Sequence, residues 1–224
     1  MADLLNTNTV LAPVAPALPF APVEYERKYQ DDLNNILRLY FATQDNAFAN
    51  LLSAGGGRYI RFPYGAFQDT TTQTIPANTA QVVALNTTDY ANEVSIVAGS
   101  KITVANAGLY NLQWSGQFQN PDNAQHDISV WLRKGDVGAG VDIVGSTGFI
   151  SIPARKSAVP GEEGHLIVGW NYFVELQANE FVELWWSANS AQVTLEAYPA
   201  TTGPVRPSTA SVIATLSFVS APLT

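Results

Sequence analysis

Apolar and polar side chains alternate through much of the chain. In ITVANAGLYNLQWSGQF, from Ile102 to Phe118, the residues Tyr110, Leu112, Trp114, Gly116 and Phe118 fall on one face of an extended segment. Leu109, Asn111, Gln113, Ser115 and Gln117 fall on the other. A period of two with one mainly apolar face predicts a half-buried antiparallel strand. The segment from Phe173 to Ala188, FVELQANEFVELWWSA, repeats the pattern and breaks at Ala178-Asn179, where a tight turn is predicted. Strands are expected near 81–84, 93–98, 101–104, 109–119, 127–133, 141–151, 165–177, 180–188, 192–198 and 210–219.

That number of strands, joined by Gly- and Asn-rich turns, argues a mainly β chain: an antiparallel β-sandwich of jelly-roll type over 64–224. The alternation also assigns faces. Ile128, Val130 and Leu132 point inward, as do Leu166, Val168, Trp170, Tyr172, Val174 and Leu176. So do Val182, Leu184 and Trp186, and Val212, Ala214, Leu216 and Phe218. The remainder places Trp131, Ile167, Phe173, Phe181, Trp185 and Ile213 on outward faces. Adjacent Trp185 and Trp186 cannot both enter one core, because successive side chains point to opposite faces. Exposed apolar patches mark interaction surfaces. Each such side chain contributes roughly 1.5–3 kcal/mol when an interface buries it. The competing reading is that a long loop or an N-terminal helix covers some of them.

Ahead of the strands, Tyr25, Tyr29, Leu33, Ile36, Leu37, Tyr40 and Phe41 recur at steps of three and four, continued by Phe48, Leu51 and Leu52. This predicts one amphipathic helix over 24–52, with Glu24 and Glu26 at its positive end and Gly55-Gly56-Gly57 ending it. Tyr29, Leu33, Leu37 and Tyr40 form a stripe that needs a packing partner. Earlier still, Pro13, Pro16, Pro19 and Pro22 recur every three residues. Four prolines exclude a continuous helix, and with it a membrane span, although no charge occurs from Leu4 to Val23. No positively charged segment precedes the stretch, so no secretory signal is expected. A spacing of three matches the polyproline II turn. A tail without fixed structure is one reading. The regular spacing favours the other, an extended arm lying in a groove of another protein, with Pro13, Pro16, Pro19, Phe20 and Pro22 as anchoring residues. The expected organisation is thus an arm over 1–23, a helix over 24–52, a Gly-rich hinge over 53–63 and the sandwich over 64–224.

Composition narrows the function. Only 13% of the 224 residues are charged and the net charge is −8. Much of the surface is therefore neutral polar or covered by partners, and an acidic, lysine-poor surface repels phosphate backbones, which argues against nucleic acid. The absence of cysteine excludes disulfides, thiolate metal sites and a cysteine nucleophile. His126 and His165 lie in no metal-ligand spacing; the first is expected to be solvated, the second structural. The segment Lys134-Gly135-Asp136-Val137-Gly138-Ala139-Gly140 lacks the following Lys-Ser/Thr of a phosphate loop and reads as a hairpin loop. Adjacent Glu162 and Glu163 do not establish a glycosidase pair, and Asp136, Asp142 and Glu162 form no specific calcium pattern. Asn86-Thr87-Thr88 is a glycosylation sequon that reads as coincidence. No enzyme activity, metal or cofactor is expected.

Two resemblances add to this reading. An apolar strand, a turn ending in glycine and a Tyr-rich alternating strand resemble the C1q/TNF-like modules, carried here by Val104, Gly108, Tyr110 and Leu112. Gln177-Ala178-Asn179-Glu180 stands where that family has a short Gly-Asp turn, although the Gly-Asp pair is missing. The resemblance implies a homotrimer with an aromatic-rich sheet face along the three-fold axis. On that basis Trp185, Phe173 and Phe181, with Ile167 and Trp131, are the expected interface. The run Leu33 to Phe41, LNNILRLYF, resembles the N-terminal segment of structural proteins from marine and cyanobacterial tailed phages. It implies a virion protein, a head decoration, head fibre or short spike, docked on capsid or tail proteins through its arm. The alternative is a receptor-binding fibre tip with Trp131 or Trp185 stacked on host glycans. A glycan depolymerase is a third option, for which no carboxylate pair is found. A secreted cellular C1q-like protein is disfavoured by the missing signal segment.

Overall fold

The computed structural model describes residues 14–52, 62–136, 138–159 and 162–221. Pro13, the triple glycine and most of the expected hinge lie outside the described residues. The chain divides into two compact units, Met1–Arg61 and Phe62–Thr224.

The first unit contains α1 (Arg27–Leu52). It starts three residues later than the periodicity suggests. Its first bond runs from the Gln30 N–H to the Glu26 carbonyl at 3.2 Å, so Glu26 is the cap residue and Glu24 lies before the helix. The segment ahead of it is extended and folds back along α1. The Tyr29 hydroxyl donates to the Pro19 carbonyl at 3.3 Å. Val14 and Pro16 share a cleft of ≈ 260 Å³ with Ile36, Leu39, Tyr40 and Thr43. Tyr29, Leu33, Leu37 and Tyr40 are half-buried, as the stripe requires. The arm therefore gives its own helix part of the apolar cover that an isolated stripe lacks.

The second unit is built of strands. They are β1 (Tyr64–Asp69), β2 (Gln73–Thr74), β3 (Ala80–Val82), β4 (Thr87–Asn92), β5 (Val94–Val97), β6 (Lys101–Val104), β7 (Gly108–Asn120) and β8 (His126–Gly135). After them come β9 (Gly140–Asp142), β10 (Gly148–Ile152), β11 (Gly164–Leu176), β12 (Phe181–Ala188), β13 (Thr194–Leu195), β14 (Thr201–Thr202), β15 (Val205–Arg206) and β16 (Val212–Ser220). In sheet A, β7 pairs along its whole length with β11 on one side. On its other side it pairs with β16 and then β13, and β1 and β4 continue the sheet beyond β16. Sheet B runs β10-β8-β12-β6-β5, with β9 on β8 and β3 on β12. Following the chain, β6 lies in sheet B, β7 in A, β8 and β10 in B, β11 in A, β12 in B and β16 in A. An antiparallel double sheet whose chain alternates between layers in this order is a jelly-roll sandwich.

The core lies between the sheets. Ile128, Val130, Leu132, Val182, Leu184 and Trp186 enter it from sheet B, and Leu112, Trp114, Phe118, Val168, Ala214 and Leu216 from sheet A. Leu166, Trp170, Tyr172 and Phe218 pack at its margin. Trp114 meets Trp170 edge-on at 4.8 Å, and Phe118 meets Trp186 at 5.7 Å. Gly148 faces this cluster from β10, where a Cβ would lie 2.1 Å from the Trp170 ring. The turn after β11 is closed by the Glu180 N–H donating to the Gln177 carbonyl at 3.0 Å, with Asn179 at φ 68°. Asparagine tolerates that left-handed conformation.

Some boundaries differ from expectation. The 141–151 strand is two, β9 and β10, because Gly145 turns the chain at φ 82°. The 93–98 strand is preceded by a separate β4, and 192–198 shrinks to β13. β1 was not among the expected strands. Its alternation is short and carries Asp69 inward, where that carboxylate accepts from the Thr71 N–H and hydroxyl at 2.6 Å and caps a turn.

Candidate functional site

The outward aromatics do not form one face. Ile167 and Phe173 stand on β11, on the outside of sheet A, while Trp131, Phe181 and Trp185 stand on β8 and β12, on the outside of sheet B. Phe181 is not exposed at all, at 2%. Lys101 Nζ sits 4.2 Å over its ring, and Gly140 packs so closely that a Cβ there would lie 3.3 Å from the ring edge. Side-chain-free Gly135 and Gly140 let the β8–β9 turn approach, which period-two counting cannot see.

Outside sheet A, β7 presents Leu109, Asn111, Gln113, Ser115, Gln117 and Gln119, and β16 presents Ile213, Thr215, Ser217 and Val219. β11 adds Ile167, Gly169, Asn171 and Phe173. On these three strands the ionisable outward groups are His165 and Glu175, at opposite ends of β11. Ile167 is 69% exposed and Phe173 55%. The register sets Phe173 beside Asn111, and Asn111 beside Ser217. The Asn111 amide oxygen, in this row, has no hydrogen-bond partner.

Sheet B has the opposite character. The Arg133 guanidinium lies 3.9 Å from the Trp185 ring centre, and Trp131 and Trp185 are 6.4 Å apart. Asp142 accepts from Trp131 Nε1 and from Arg133 Nε, each at 2.9 Å. Glu183, only 6% exposed, accepts from the Ser100 hydroxyl at 2.7 Å and from Trp185 Nε1 at 3.2 Å. The hydrogen bond from Arg133 holds the Asp142 carboxyl below the ordinary carboxylate value, against the opposing effect of desolvation and with help from Trp131. Each ring is thus fixed by a partner, and the Trp185 face is already covered by a cation. Beside this network a groove of ≈ 450 Å³ runs past Trp131 and Phe149. Phe149 is 72% exposed, although a single aromatic in GFISI resembles core material in the sequence.

A third cluster lies near one end of β11. Tyr198 Oη is 3.2 Å from His165 Nδ1 and 3.1 Å from Gln119 Oε1, and His165 Nε2 is 3.9 Å from Glu163. Arg206 lies over the Tyr198 ring at 5.1 Å. Glu163, His165, Tyr198 and Arg206 line a cavity of ≈ 560 Å³. Burial, reinforced by Glu196 and Glu163, pushes the Tyr198 hydroxyl up to about 12, so at neutral pH it is a donor and not a base. Tyr198 lies just beyond β13 and Arg206 ends the two-residue strand β15, so the cluster joins short elements that are not adjacent in the sequence.

His126 corrects another expectation. It is paired, with Nε2 2.8 Å from Asp122 Oδ2 and a side chain only 15% exposed. The turn at Asn120-Pro121-Asp122-Asn123 folds Asp122 back onto it, and that hydrogen bond lowers the Asp122 pKa. The Asn86 amide is likewise engaged, with Thr70 and Asp69. Among the described residues no three acidic or histidine side chains gather as a metal site. Among them, too, no helix is long and apolar enough to cross a membrane. Of the expected anchoring residues, Pro16 and Pro19 are half-buried, Pro22 is exposed and Phe20 is fully exposed.

Strand order and faces define a jelly-roll module with one charge-poor outer face on its three longest sheet A strands and one cross-linked polar-aromatic face on sheet B. Comparison of the sequence with known protein families and with curated proteins gives no match. The fold is similar to a solved structure described as that of Eiger TNF from S. frugiperda. The likeness has 8% sequence identity and a TM-score of 0.49, and covers 73% of this chain and 97% of that one.

Proposed function

We propose that this chain is a non-enzymatic structural protein of a phage virion, a homotrimeric decoration, head fibre or short spike. The observation that carries the assembly is the outer face of sheet A. Three long strands set Ile167, Phe173, Ile213 and Val219 among neutral amides and hydroxyls, with ionisable outward groups only at the ends of β11. A face of this kind has few charges to desolvate and gains from burial of its apolar groups, provided its amides and hydroxyls find hydrogen bonds across the contact. Charge depletion at the centre is what distinguishes interface cores from other surface. Trp131 and Trp185 are assigned to a different role, because their polar partners are already in place on sheet B.

Docking on capsid or tail proteins falls to the first unit. Its support is the phage-like run Leu33 to Phe41, on α1, and the apolar side chains around it. Phe20, Val23 and Tyr25 are more than four-fifths exposed, and Leu39, Phe41 and Phe48 more than half. Light scattering on the full-length protein and on a chain starting at Gly57 tests the assembly. Trimers in both place the contact in the sandwich; a trimeric full-length chain with a monomeric short one moves it to the helix and refutes the sheet A interface. Virions carrying a protein that lacks residues 1–23 test the docking, and full occupancy would contradict it.

A further inference from the structure

We infer that the groove on the outside of sheet B is a binding site for neutral saccharides. Its floor is low because Ser129 on β8 and its register partner Ser187 on β12 are small, and exposed Phe149 on β10 stands beside Ser129 as a wall. Along β8 the same floor is bounded by Trp131 on one side and Asp127 on the other. Asn189 stands beside Asp127, its Oδ1 accepting from the Asp127 N–H at 3.0 Å. One Asp127 carboxylate oxygen accepts from the Ser151 hydroxyl at 2.6 Å. The second carboxylate oxygen and the Asn189 Nδ2 remain, a strong acceptor next to a donor at the polar end of the groove.

This is the chemistry of a pyranose ring. Such a ring has an apolar C–H face, which packs on the negative face of an aromatic ring, and a rim of hydroxyls, each both donor and acceptor. Phe149 and Trp131 supply the rings; Asp127 and Asn189 supply the paired polar groups. The Trp131 ring is held in place by its bond to Asp142, so stacking costs little ordering entropy. A volume of ≈ 450 Å³ lies in the range of roughly 300–1,000 Å³ for small-ligand pockets. A peptide adding as a strand is disfavoured, because the floor is mid-sheet and its backbone groups are used by β10 and β12. Anionic ligands, acidic sugars included, meet the Asp127 carboxylate and a net charge of −8. The site is also well placed. The Phe218 N–H donates to the Pro63 carbonyl at 2.9 Å, so the strands entering and leaving the sandwich share one end. β7 runs away from that end, and β8 begins with the groove residues at the other.

The site stands independently of the trimer and of the virion. Its test begins with full-length protein on a printed array of neutral hexose and N-acetylhexosamine oligosaccharides beside sialylated and uronate-bearing ones. The strongest neutral ligand is then titrated by calorimetry. Binding confined to neutral glycans is expected, at least tenfold weaker in Phe149→Ala and in Asp127→Ala, with melting temperature and solution mass unchanged in the Phe149 variant. Silence on neutral glycans, a preference for acidic ones, or wild-type affinity in Phe149→Ala would overturn it. A trimer that ignores neutral glycans refutes this site alone; a monomer that binds them refutes the assembly alone.

Discussion

Sheet A turns Ile167, Phe173, Ile213 and Val219 outward among serines, threonines and amides, whereas sheet B turns out Trp131, Trp185, Arg133, Glu183 and Asp142. Sheet B has the bulkier aromatics and yet is the more finished surface. Its indole N–H groups and its carboxylates have partners, and one aromatic face carries a guanidinium. The sheet A face has smaller apolar groups and, on its three long strands, little charge. The difference teaches why the proposed interface is assigned to the less aromatic sheet. What matters is whether the polar atoms around the rings are already satisfied.

The contrast can be broken in steps. The largest effect is expected from Ile167→Asp combined with Phe173→Asp, which puts charge into the sheet A face and should reduce the solution mass threefold while melting remains cooperative. Trp185→Asp is the matched control: it should lower the melting temperature and leave the mass of the assembly unchanged. A drop to monomer there would return Trp185 to the interface. Because the three long strands of sheet A carry ionisable outward groups only at the ends of β11, molar sodium chloride should not dissociate the proposed trimer. Arg133→Ala should cost about 1 kcal/mol in chemical denaturation, the scale of a partly exposed ion pair with a cation–π contact.

Smaller effects follow titration. Asp142 and Asp122 have folded pKa values below their unfolded ones, so each contributes stability at neutral pH. That contribution is lost as pH falls below the usual carboxylate value of about 4 and through the lowered folded value. Acid denaturation of Asp142→Asn should show a shallower slope in that window. Tyr198 runs the other way. Its hydroxyl is raised to about 12, so its contribution is present below the ordinary tyrosine value of about 10 and lost as pH rises between the two. Burial also raises the Tyr110 hydroxyl, with help from Glu93, so ultraviolet titration should find fewer tyrosines ionising near pH 10 in the wild type than in an unfolded sample, a difference reduced but not abolished in Tyr198→Phe.

The strands carrying the core were legible in the sequence, because alternation in 109–119, 127–133 and 180–188 is long enough to specify a face. The buried Trp186 and the half-exposed Trp185 follow from parity alone. Phe181 did not, since its burial depends on Lys101 folding over it and on glycines letting a turn come close. Sheet membership was also invisible: β8 and β11 both present outward aromatics, and only the crossing order of the chain puts them on different layers. The groove at Phe149 and the Tyr198 cluster escaped for the same reason. Each joins residues from elements far apart in sequence, and neither has a motif.

The bond between Pro63, just before β1, and Phe218, in β16, joins the first and last strands of the sandwich like a clasp. A module whose two ends meet is portable. It can be spliced into a surface loop of a carrier protein, or circularly reopened elsewhere, without stretching either strand.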